Sequence, residues 1–237
     1  MDSVTTENNM IDTNLINPAN KNIGLDLLSN YFKILAKDSS LIVSVGSGTG
    51  YVELFLEENL NITITCIDPN PTSFQKGSVK KVPNYSSVKD LINEHPDIIG
   101  KVNLFINWPS PEKSGRFDLE TIKLLKPRLC LCVIDTTGGA GSDLFLNYLK
   151  HKVPNIGKYL CDGDFSWVRK LNTDEVKIIE SIDIYYIMCD TVLPIIRGSD
   201  RINQRYLVLV RHDVYDENYV QTLPRKLLEK HEDCIIC

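Results

Sequence analysis

The chain has 237 residues, 43% of them hydrophobic and 24% charged, with a formal net charge of -5. That length suits one large domain, or one domain with ordered extensions, and the composition supplies a core and excludes whole-chain disorder. The acidic balance, with Lys and Arg scattered among Asp and Glu, gives no footprint for bulk duplex nucleic acid, which needs a basic face. A local basic strip stays open.

No apolar run reaches the roughly eighteen residues that a membrane span requires. Residues 1–20 are polar and rich in Asn and Thr, without the basic start and apolar stretch of a signal peptide. A cytoplasmic protein is therefore expected. Of seven cysteines, Cys66, Cys130, Cys132 and Cys189 lie inside apolar runs, and buried free thiols are the simplest reading. Cys130 and Cys132 are two apart on a strand and face the same side, which is weak evidence for a metal. The four histidines, His95, His151, His212 and His231, are far apart in sequence, so no zinc cluster is visible and no metal is expected.

Taken in order, short apolar runs alternate with amphipathic stretches, the pattern of a parallel sheet covered by helices. A polar extension spans residues 1–22. Residues 23–36 then carry Leu25, Leu28, Phe32 and Leu35 at helical spacing. A first strand at 41–45 runs into a glycine turn and a helix through Val52, Phe55 and Leu56. Residues 62–67 predict a second strand, and 71–82 a short helix and a weak third strand. Ser86 or Ser87 caps a helix running to His95 and ended by Pro96. A fourth strand at 102–106, a helix at 118–125, a fifth strand at 129–134 and a helix at 142–150 follow. Residues 151–180 show no clear period. Two late strands, 182–188 and 206–210, are joined by a polar loop containing Gly198. Residues 214–237 form a tail with a short helix at 223–230. No internal repeat or linker divides 23–213, which is read as one domain.

The strongest local signal is Leu41-Ile-Val-Ser-Val-Gly46-Ser-Gly48-Thr-Gly50-Tyr-Val-Glu53, in strand, turn and helix context. Glycines permit unusual backbone angles and close approach of a ligand, and a helix start presents free amides. The second strand ends in Asp68, twenty-two residues after Gly46, where an acid can accept the ribose hydroxyls of a nucleoside. A dinucleotide fingerprint is GxGxxG, whose helix end receives a pyrophosphate. Here the third glycine comes one residue early.

The GxGxG turn resembles the first motif of the Rossmann-like, class I S-adenosylmethionine-dependent methyltransferases. The resemblance covers about residues 23–213 and implies a three-layer sheet of seven strands, the last antiparallel and inserted beside the sixth, with helices on both faces. It implies S-adenosylmethionine as cofactor, held by Gly46, Ser47, Gly48, Gly50 and Asp68. Asn84, Tyr85 and Ser86 are then the nearest residues to the adenine, Tyr85 foremost. The family often carries an acid just before the glycine turn, where this chain has Ser44.

The fourth strand ends in Ile106-Asn107-Trp108-Pro109-Ser110-Pro111, which resembles the family's Asn/Asp-Pro-Pro-aromatic motif for amino acceptors. Trp stands at the first proline position and Ser at the aromatic one. The resemblance makes Asn107 the acceptor-positioning group and a cofactor neighbour, and Trp108 a stacking or cation-contacting wall; the plainer readings are a turn and core packing. Methyl transfer from a sulfonium to an electron-rich nucleophile needs proximity and alignment more than acid–base help. Asp135 is a base or a cap for the turn at 136–141, with capping preferred. The Lys-Asp-Lys-Glu tetrad of ribose methyltransferases is not apparent.

Asp162, Asp164 and Trp167 line a substrate pocket or an ordinary turn, and Arg197, Arg201 and Arg205 meet an anionic substrate or are solvated loop charges. Cys234-Ile-Ile-Cys237 matches a prenylation pattern with an unusual terminal residue, and chance is the preferred reading. The leading function is thus a methyltransferase with unidentified acceptor: small molecule, protein, glycan or RNA end. The alternatives are a catalytically inactive binding or scaffold protein of the same fold and, disfavoured by the glycine spacing, a nicotinamide-dependent oxidoreductase.

Overall fold

The computed structural model describes residues 28–33, 35–36, 41–71, 79–107, 109, 117–135, 140–153, 156, 168–183, 186–192 and 204–215, with the backbone alone for 135, 187–192 and 204–206. Helix α1 covers residues 28–33 and 35. It is followed by β1 (Ile42–Val45), α2 (Tyr51–Leu60), β2 (Ile64–Ile67), α3 (Val88–Glu94), β3 (Asn103–Ile106), α4 (Phe117–Leu125), β4 (Leu129–Asp135), α5 (Asp143–Lys152), α6 (Thr173–Glu180), β5 (Tyr186–Val192) and β6 (Gln204–Arg211).

The strands form one sheet in the order β2-β1-β3-β4-β6-β5. Pairing is parallel from β2 through β4, and β6 runs antiparallel to both β4 and β5. Every residue of β1 and β3 is buried, as expected for parallel strands covered on both faces. Alternate residues feed two cores. Val43, Val45, Leu104, Ile106, Cys130 and Cys132 pack with α3, α4, α5 and α6. Ile42, Cys66, Phe105, Leu129, Leu131 and Val208 pack with α1 and α2. The period-two alternation of the strands therefore builds the three layers. Phe32 of α1 meets Phe105 edge to face at 4.9 Å, a favoured aromatic geometry.

The antiparallel final strand, set between β4 and β5, is the arrangement implied by the resemblance. Six strands are present among the described residues, rather than seven. The short helix and weak third strand expected within 71–82 fall largely on residues 72–78, which lie outside the described residues; among those described, a single parallel bridge joins Tyr85 to Ile67. At this edge Asn84 Oδ1 accepts from Cys66 N at 2.9 Å, and Asn84 N and Tyr85 N donate to Cys66 O.

Two further differences concern the second half. Residues 173–180, unassigned from sequence, form α6, started by a capping box in which Asn172 and Glu175 satisfy each other's backbone. That signal was available in the residues. The late strand expected from Ile182 begins at Tyr186 instead, because Ile182 N bonds to Ile179 O and closes the turn after α6. Tyr186 is fully buried, and its hydroxyl donates to Pro127 O at 2.7 Å. Cys66, Cys130 and Cys132 are buried free thiols, and Cys130 and Cys132 share a face with sulfurs 3.1 Å apart. Among the described residues no helix is long and apolar enough to cross a membrane, and no group of residues is arranged to hold a metal ion.

Candidate functional site

The carboxyl ends of β1, β2 and β3 lie side by side and carry the glycine loop, Asp68 and Asn107. Gly46, Gly48 and Gly50 have φ of 77°, 54° and 72°, the left-handed region where other residues are strained. At Gly46 a Cβ would stand 2.9 Å from Asn107 O, and at Gly50 2.6 Å from Lys81 O. The chain's own backbone thus occupies the space expected for a ligand at the first and third glycines. Thr49 O accepts from Lys80 N and Lys81 N, which holds residues 80–81 against the loop. Lys81 Nζ is itself tied to Glu57 Oε1 at 2.5 Å and to Ile64 O.

Asp68 is half-buried. Its Oδ2 accepts from Gly48 N at 2.8 Å and its Oδ1 from Asn70 N at 2.8 Å. This draws the middle of the glycine loop onto the end of β2, and each oxygen keeps lone pairs for further donors. Tyr85 is half-buried, with its hydroxyl on Glu94 at 3.0 Å, and Ser86 donates to Asp90. Ser87 caps α3. Asn84 is bound to β2 as described above, so of the three adenine candidates only Tyr85 bridges the strand end next to Asp68.

Asn107 N bonds to Val45 O, and its side-chain Nδ2 donates to Glu53 Oε1 at 3.2 Å. Ser44 Oγ donates to the same oxygen at 2.7 Å. Glu53, on the first turn of α2, is fully buried, and desolvation raises its pKa against the opposing hydrogen bonds from Ser44 and Asn107. Its Oε2 has no hydrogen-bond partner among the described residues, and the same is true of Ser47 Oγ. Glu53 went unnoticed in the sequence because an acid in a first helical turn reads as a complement to the helix dipole. The signal beside it was Ser44, a hydroxyl in an otherwise apolar strand.

Trp108, Ser110, Pro111, Asp162, Asp164, Trp167, Arg197, Arg201 and the Cys234–Cys237 tail lie outside the described residues, as do the side chains of Asp135 and Arg205. The acid that does anchor the α4–α5 region is Asp118, which accepts from Ser142 N, Ser142 Oγ and Leu119 N.

The strand order, the single antiparallel strand and a glycine loop joining β1 to α2 define a Rossmann-like α/β fold. No family model matches the sequence, and no curated protein matches it. Among solved structures, the chain is similar to a SAM-dependent methyltransferase from Archaeoglobus fulgidus, with 14% identity, 81% of this chain and 94% of that one covered, and a TM-score of 0.41. It is similar to the methyltransferase domain of bacterial CtHen1-CN (11%, 78% and 99%, 0.39) and to the plantazolicin methyltransferase BpumL in complex with SAH (11%, 79% and 82%, 0.35). These likenesses concern the course of the chain and assign no chemistry to its side chains.

Proposed function

We propose that the protein is an S-adenosylmethionine-dependent methyltransferase, with an amino nitrogen as the class of acceptor that Asn107 suggests. The observation that carries this reading is the convergence at three strand ends of a left-handed glycine loop and an acid bonded to it, with two buried polar atoms, Ser47 Oγ and Glu53 Oε2, that have no partner among the described residues. A buried hydroxyl and a buried carboxylate oxygen left unmatched fit a ligand that brings both an acceptor and a donor. Bound there, the cofactor supplies an electrophilic sulfonium methyl.

The chain's own residues then bind and align. Gly46, Ser47, Gly48 and Gly50 shape the loop, and Asp68 accepts the ribose hydroxyls with the lone pairs that Gly48 and Asn70 leave free. Tyr85 flanks the adenine. Asn107 orients the acceptor, with Trp108 as the adjoining wall. Positioning of this kind supplies most of what such a transfer needs.

A second reading, a protein of this fold that binds without catalysing, draws support from the commitment of the Asn107 amide to Glu53 and from Ser44 at the position of the usual acid. Calorimetry with S-adenosylmethionine and S-adenosylhomocysteine, and NADH as control, tests the cofactor. Both adenosyl compounds are expected to bind and NADH not. Asp68→Ala is expected to weaken them about ten- to a hundredfold, the loss of hydrogen bonds to a charged group. Absence of binding by folded protein refutes the methyltransferase reading, and unchanged affinity in the variant refutes the role of Asp68.

A further inference from the structure

We propose that Glu53 and Ser44 are positioning residues that fix the side-chain amide of Asn107 with its oxygen, not its nitrogen, turned to the acceptor; this rests on the methyltransferase reading above. The three side chains come from separate elements. Ser44 stands on β1, Glu53 on the first turn of α2, and Asn107 directly after β3. Ser44 and Glu53 are fully buried, whereas Asn107 is half-buried at the strand ends. Neither Glu53 nor Ser44 needs to touch a ligand, since both act through Asn107.

The hydrogen bonds set the sense of the amide. Glu53 Oε1 accepts from Ser44 Oγ at 2.7 Å and from Asn107 Nδ2 at 3.2 Å. An amide oxygen in the place of Nδ2 would face an acceptor with no proton between them, because the single proton of Ser44 is already directed to Oε1. The sense is the same in both charge states of Glu53. A proton would go to Oε2, which has no partner among the described residues, and would leave Oε1 accepting.

With Nδ2 held, the free atom of the amide is Oδ1. No donor among the described residues meets it, and it is not one of their buried unpartnered atoms. The backbone oxygen of Asn107 is covered by the glycine loop, since a Cβ at Gly46 would stand 2.9 Å from it. Asn107 therefore offers the site one amide carbonyl. That group favours an acceptor bringing an N–H or an ammonium, and disfavours a carboxylate or a phosphate at the same place. Without Glu53 the amide can turn over, and its NH2 then repels the very group that Oδ1 would receive.

Calorimetry with two ligands of one skeleton tests this without turnover. Sinefungin carries an amino group on carbon where S-adenosylhomocysteine has its sulfur, so its ammonium stands in for an amine at the place of methyl transfer. The readout is the ratio of the two affinities, which a general loosening of the site does not move. The unaltered protein is expected to bind sinefungin about ten- to a hundredfold more tightly, the effect of a hydrogen bond to a charged group. Asn107→Ala and Glu53→Leu are each expected to bring the ratio to within about threefold of one. Glu53→Gln keeps an acceptor for Ser44 and Asn107 and is expected to restore it. Glu53→Leu leaves two donors unmatched, so the pair Ser44→Ala with Glu53→Leu, which removes a donor with its acceptor, replaces it if the single variant misfolds. An unaltered protein without preference for sinefungin overturns the positioning role, as does a ratio that survives the loss of Glu53 or one that Gln fails to restore. In those cases S-adenosylhomocysteine binding by the unaltered protein still supports the cofactor reading. Binding of neither compound overturns both.

Discussion

Gly50→Ala separates a glycine needed by the fold from one needed only by a ligand. Gly50 is the residue before α2, with φ of 72° and ψ of 15°. A side chain there pays about 1–2 kcal/mol for the left-handed conformation. Its Cβ would also stand 2.6 Å from Lys81 O and 2.7 Å from Lys81 Cβ, closer than real contacts allow. Residues 80–81 must move away, and the bonds from Lys80 N and Lys81 N to Thr49 O weaken or break, each worth about 0.5–1.5 kcal/mol. The expected loss is about 3 kcal/mol in the absence of any ligand. In a chain of this size that lowers Tm by roughly 6–12 °C. Urea unfolding followed by circular dichroism, with a thermal scan beside it, measures both quantities. A ligand-free variant within about 0.5 kcal/mol of the parent would refute the packing argument and return Gly50 to a role in ligand approach alone.

Burial raises the pKa of Glu53, so the folded state holds that proton more tightly than the unfolded chain. Its contribution to stability is then fully present below the unfolded carboxylate range near pH 4 and is lost as pH rises through the folded value. Glu53→Gln should accordingly gain stability relative to the parent between about pH 4 and pH 7, as read from urea midpoints; parallel curves would count against it. Asp118→Ala leaves the buried N–H and hydroxyl of Ser142 without their acceptor and is expected to cost about 2–4 kcal/mol in urea unfolding. A loss below about 1 kcal/mol would mean that water or another group replaces the carboxylate.

Local features of the chain carried their own signals. The apolar runs at 42–45, 103–106 and 129–134 gave continuous burial on both faces, which is a property of composition and period. Ser87 and Ser142 capped the helices that follow them because capping acts over three or four residues. The glycine spacing and Asp68 were likewise readable, since the strand, turn and helix that contain them are contiguous. The capping box at Asn172 could have been read in the same way.

What the sequence by itself determined was the succession of elements, the glycine loop and the acid at the end of β2. Tertiary structure alone decided that Gly46 and Gly50 accommodate Asn107 and Lys81, that Asn84 bonds to Cys66 of β2, and that Glu53 joins Ser44 and Asn107. Each of these depends on groups brought together from separate strands. No periodicity along the chain encodes such a meeting, because desolvation and hydrogen bonding at the site are set only once the sheet has assembled.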